Sequence, residues 1–131
     1  MRLDRRELGA IFAGGVVGAV LRAALVELFP PGAGEWPWAT LIANLIGAIA
    51  LGYFATRLQE RLPLSTYLRP LLGTGLCGAL TTFSTMQFEL VEMFEAGEAA
   101  LAVAYGAVSI ATGFFAVLVA TNAVRRARFS R

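Results

Sequence analysis

Residues 73–85 read Gly-Thr-Gly-Leu-Cys-Gly-Ala-Leu-Thr-Thr-Phe-Ser-Thr and lie inside an otherwise apolar stretch. Glycine and hydroxyl residues at this density do not make a uniform lipid-facing helix. A helix that breaks at membrane depth frees backbone N–H and C=O groups, and these are tolerated only where protein, water or ions meet them. Broken helices at mid-membrane are also how many membrane proteins build ion sites. The chemistry expected here is therefore ion coordination, with Thr81, Thr82, Ser84 and Thr85 as polar candidates.

Other polar residues fall on helical faces. Thr40, Asn44 and Gly47 share one face at i, i+4 and i+7. Asn44 offers both donors and an acceptor; an interhelical hydrogen bond and a donor aimed at a permeating anion are both open. Tyr105, Ser109 and Thr112 repeat the spacing, either as a ladder of donors or with hydroxyls bonded back to their own helix. Glu89 is a carboxylate within a span, which makes it a functional candidate by default. Gly14, Gly18 and Arg22 follow at steps of four. Small residues so spaced let helices approach closely. Arg22 either snorkels to the interface or faces an aqueous vestibule and attracts anions.

Four spans of about 8–29, 38–58, 68–94 and 98–124 must carry these residues. Each exceeds the ~20 residues needed to cross ~30 Å of hydrocarbon. Pro30, Pro31 and Gly32 end the first, and Pro37 suits the start of the second. Trp36, Trp38 and Tyr67 sit at span ends, where amphipathic rings favour the interface. The third span contains the glycine-rich break. The expected fold is an all-α integral membrane protein, one four-helix domain over residues 1–131.

Composition agrees. The chain is 57% hydrophobic and only 15% charged, where a soluble domain carries about 25% charged residues. The net charge of +2 comes from arginine alone, and little basic surface remains for nucleic acid once the apolar runs are in lipid. No Ser-His-Asp set, Cys/His metal spacing or phosphate-binding loop is present, so enzyme activity is not expected. The lone Cys77 allows no intrachain disulfide and is expected to pack near the break. No small-residue cleavage site follows the first apolar run, so a cleavable signal peptide is not expected. With four spans, ten of the eleven arginines fall on one side, the side of both termini. The opposite loops hold Glu35, Glu95 and Glu98. This bias places both termini in the cytoplasm of a multi-pass protein of the plasma or inner membrane.

Three segments together resemble the Fluc/CrcB fluoride channels: Gly14-Gly15-Val-Val-Gly18-Ala19-Val-Leu-Arg22, Thr40-Leu-Ile-Ala-Asn44-Leu-Ile-Gly47 and the 73–85 motif. The third is highly specific, and the likeness covers all four spans. It implies a passive channel that exports cytoplasmic fluoride. It also implies an antiparallel dual-topology dimer, two pores at the subunit interface and a central structural sodium ion. Carried over, the backbone carbonyls of Gly78 and Thr81 hold the sodium. Phe83 presents a ring edge to the anion; Met86 stands where the family has a second phenylalanine and lacks its ring quadrupole. Asn44 and Thr40 fall in the pore, Tyr105 and Ser109 in a polar track, and Arg22 in the vestibule. Gly113 lacks the track's next serine.

The arginine bias leaves the partner open between a second copy and an oppositely oriented homologue. Two other classes stay in view: a small proton-coupled multidrug-type transporter and a non-conducting membrane assembly protein. The former needs a mid-membrane carboxylate in helix one, where Glu27 lies only near the end.

Overall fold

In the computed structural model, residues 4–30, 32, 34–60 and 67–127 are described, with the side chains of residues 59 and 60 left aside. Pro31 and four of the eleven arginines (Arg2, Arg61, Arg128 and Arg131) lie outside them. The described residues form helices and no strand. Helix α1 is Arg5–Leu28, and α2 is Trp38–Glu60. A π-helix, Pro70–Cys77, runs into the single turn α3, Gly78–Leu80. Helix α4, Phe83–Glu95, follows after two extended residues, and α5 is Ala99–Arg126.

Local chemistry sets most of these limits. Asp4 caps α1, its carboxylate accepting from the Arg6 amide at 2.9 Å. Pro30 stands just past the other end. Gly97, at φ +82°, closes α4, with the Glu98 amide donating to Met93 C=O at 2.9 Å. Arg125 and Arg126 lie in the last turn of α5, where cations suit the exposed carbonyls.

Helices α1, α2 and α5 are long and apolar enough to cross a membrane. The expected third span is two half-helices instead of one rod, broken at residues 81–82. The break was expected; the widened π turns before it were not. They show in the Gly78 amide, which donates to Gly73 C=O five residues back.

Two close contacts assemble these elements. Helix α1 lies on the π-helix through glycines: a Cβ on Gly14 would strike Leu71 C=O, and one on Gly18 would strike Leu76 C=O. Helices α2 and α5 run in the same direction, with Gly52 against Val117 and Ala120. Met86, Met93, Ala102 and Tyr105 form the buried core beneath Trp36 and Leu90. Much large apolar surface stays outside: Phe12 is 74% exposed, Phe83 72% and Ile110 69%. Surface of that kind suits lipid or another chain, not water.

Candidate functional site

The site begins at the break. Thr81 (φ −80°, ψ 150°) and Thr82 (φ −147°, ψ 121°) are both extended. Extended backbone inside apolar surroundings needs hydrogen-bond partners from elsewhere. Asn44 on α2 supplies two. Its Oδ1 accepts from the Thr82 amide at 2.7 Å, and its Nδ2 donates to Thr82 C=O at 3.0 Å. The carboxamide thus pairs with Thr82 as a neighbouring strand would. Gly47, one turn along, makes room for the break, since a Cβ there would strike Thr81 Cγ2.

The threonines and Ser84 organise the restart of the helix. Thr82 Oγ1 accepts from the Thr85 amide at 3.2 Å and donates to Thr85 Oγ1 at 2.9 Å, with Ser84 Oγ 3.4 Å away. Thr82 is the N-cap of α4. Thr81 turns the other way: both its amide (3.0 Å) and its hydroxyl (2.8 Å) donate to Cys77 C=O. Cys77 is buried, as expected of a small residue packed near the break.

These bonds divert two amides from the carbonyls they would meet in a continuous helix. The Thr82 amide would bond Gly78 C=O but goes to Asn44. The Thr85 amide would bond Thr81 C=O but goes to Thr82 Oγ1. The carbonyl oxygens over residues 78–81, those of Gly78 and Thr81 among them, therefore lose their helical donors at the break, and Gly78 is exposed. Backbone oxygens of this kind are hard donors that fit a monovalent cation without an acidic side chain.

A cavity of about 470 Å3 opens beside the break. Asn44, Thr81, Thr82, Phe83, Met86 and Ser109 all line it, as does Gly113. Ser109 Oγ is buried and has no hydrogen-bond partner among the described residues. Phe83 leads α4 and is mostly exposed, whereas Met86 is buried in the core. A second cavity, about 180 Å3, brings Arg22 to Thr40, Thr82 and Thr85. Thr82 borders both cavities, so the break separates an arginine side from a serine side.

Tyr105 and Thr40 both meet a carboxylate. The Tyr105 hydroxyl donates to Glu89 Oε2 at 2.8 Å, and the Thr40 hydroxyl donates to Glu89 Oε1 at 2.5 Å. Both protons are committed to a buried carboxylate that joins α2, α4 and α5. Trp36 stands edge-on to Tyr105, with centroids 5.5 Å apart. It packs inward instead of only anchoring an interface. Thr112 donates to Val108 C=O at 2.7 Å, so the three hydroxyls on α5 do not form one ladder. Sequence spacing could not show the Glu89 junction, because Thr40 lies 49 residues away on another helix.

Residues 9–121 match the family described as CrcB-like protein, Camphor Resistance (CrcB). The chain belongs to the CrcB family. This CrcB chain is 59% identical over 128 residues to Fluoride-specific ion channel FluC 1 of Mycobacterium bovis, covering 98% of this chain and 97% of that one. The protein of the same name from Mycobacterium tuberculosis matches equally. Fluoride-specific ion channel FluC of Methanopyrus kandleri is 37% identical over 118 residues, covering 90% and 88%. The CrcB chain is a multi-pass membrane protein.

Proposed function

We propose that this CrcB chain is a fluoride-selective passive channel that lets cytoplasmic fluoride leave the cell. It is a channel and not an enzyme. A relative 59% identical carries the name fluoride-specific ion channel. One structural observation supports the reading most: a helix break clasped by Asn44 opens onto a cavity lined by Thr82, Phe83 and Ser109.

Fluoride is small, hard and strongly hydrated, so entering a low-dielectric core is costly unless donors replace its water. Asn44 has a second N–H beyond the one spent on Thr82, and Ser109 brings a hydroxyl to the lining of the same cavity. The Phe83 ring edge carries partial positive charge and coordinates an anion without holding it fast. Arg22, beside Thr40 and Thr85, draws anions into the adjoining vestibule. A passive path needs no coupling group: the membrane potential, negative inside, drives the anion out by roughly 2.3 kcal/mol per 100 mV.

The assembly is an antiparallel dimer crossing at the two breaks. The partner is a second copy or an oppositely oriented homologue. The exposed Phe83 and Gly78 suit that contact. Gly78 and Thr81 carbonyls from each chain would hold a sodium ion, which supplies positive charge to the freed oxygens. Met86 replaces an aromatic edge by a polarizable thioether, so the two Phe83 rings of a dimer leave each of the two paths one ring contact.

Fluoride release from liposomes containing the purified chain tests the function. Rapid fluoride efflux with negligible chloride efflux is expected. No efflux from a folded, reconstituted antiparallel dimer, formed by this chain alone or with an oppositely oriented homologue, would overturn the proposal.

A further inference from the structure

A second large cavity has no part in the path described above. It is a groove of about 580 Å3 between α2 and α5, on a different face of α5 from Ser109. Its α2 wall is Leu45, Ile49 and Tyr53, and its α5 wall includes Ala116, Val119 and Ala123. The one hydroxyl on the α5 wall, that of Thr112 at its start, is spent on Val108 C=O, and apart from Tyr53 the other lining side chains are hydrocarbon.

One turn beyond each wall lies an arginine. Stepping by four from Leu45, Ile49 and Tyr53 reaches Arg57. Stepping by three from Ala123 reaches Arg126. Residues three and four apart share a helix face, and the two helices run in the same direction. Both guanidinium groups therefore belong to the same end of the groove. Arg57 is held there, its Cζ 5.8 Å from the centre of the Tyr53 ring. Arg126 is exposed. No acid lines the groove, and Glu60, three residues past Arg57, is set against both arginines, so this end keeps a net positive charge.

A carbon-lined slot with two cations at one mouth has a complementary shape and charge: an apolar tail with an anionic head. We propose that an anionic phospholipid seats an acyl chain in this groove, with its phosphate held by Arg57 and Arg126. Planar guanidinium groups bind phosphate oxygens in pairs. Basic pockets between membrane helices suit anionic head groups in the same way. A second copy of the chain is the less fitting occupant, because the dimer proposed above meets at the helix break, which opens on the other face of α5. The lipid would bridge α2 and α5, the helices that carry Asn44 and Ser109.

Native mass spectrometry of the full chain tests the proposal, with the protein released from micelles containing equal phosphatidylglycerol and phosphatidylcholine. Phosphatidylglycerol should be retained in preference. Arg57→Gln and Arg126→Gln should each lower its occupancy about fivefold, and Arg69→Gln, which removes the same charge at another exposed position, should not. Equal retention of the two lipids would overturn the proposal. So would an equal loss with Arg69→Gln, which would make the effect one of net charge. Efficient disulfide cross-linking between copies of a Val119→Cys, Cys77→Ser variant in vesicles would overturn it too, because a second chain would then occupy the groove.

Discussion

Asn44 does work that few side chains can do. A carboxamide presents an acceptor and a donor side by side, which is what one extended residue needs on each edge. Aspartate in its place would set an oxygen against Thr82 C=O, and alanine would leave both backbone groups unpaired. Each unsatisfied buried group costs about 1–3 kcal/mol. Asn44→Ala and Asn44→Asp should therefore lower the thermal stability of the detergent-purified protein, and both should suppress fluoride flux. Wild-type stability in Asn44→Ala would show that the break finds other partners. The sequence offered two roles for this residue, and the geometry makes them compatible: one N–H holds the backbone and the other remains for a ligand. Glu89 was legible as a polar residue within a span, but not its role as a junction. Thr40 and Tyr105 meet it from two other helices, and no local pattern encodes such a meeting.

The broken helix was the most legible element. Glycine and threonine weaken a helix by known amounts, and a run of them in an apolar stretch has few other readings. Its details were harder to see. Thr82 acts as an ordinary N-cap, a role its position before Phe83 permits but does not announce. The π-helix over residues 70–77 has no sequence signature, because it depends on packing against α1. That packing makes a sharp comparison between adjacent residues. A Cβ at Gly14 would meet the Leu71 carbonyl and lie 2.9 Å from the Leu76 amide, while one at Gly15 has nothing within 4 Å. Backbone cannot swing aside as a long side chain can. Gly14→Ala should cost about 1–3 kcal/mol through overpacking. Gly15→Ala should be neutral or stabilise by up to about 1 kcal/mol, through helix propensity. Chemical unfolding in micelles followed by circular dichroism checks both; equal effects would mean that α1 does not rest on the π-helix.

At the level of the molecule, one chain leaves much apolar surface uncovered, which suits lipid and, in the proposed assembly, a partner chain. The arginines bear on which partner. Arg5, Arg6, Arg57, Arg69, Arg125 and Arg126 lie at helix ends consistent with a single side of the membrane. A strong bias opposes insertion in both directions, which a homodimer would require. A reporter fused to the C-terminus should give signal from the cytoplasmic side, and signal from both sides would favour self-pairing. The central claim, that fluoride crosses passively, is tested most directly by the reversal potential in a planar bilayer. With fluoride as the main anion at a tenfold gradient, the current should reverse close to the fluoride equilibrium potential, about 59 mV in magnitude, and should not move when a proton gradient is imposed. No fluoride current, or a reversal potential that follows protons or chloride, would contradict the account.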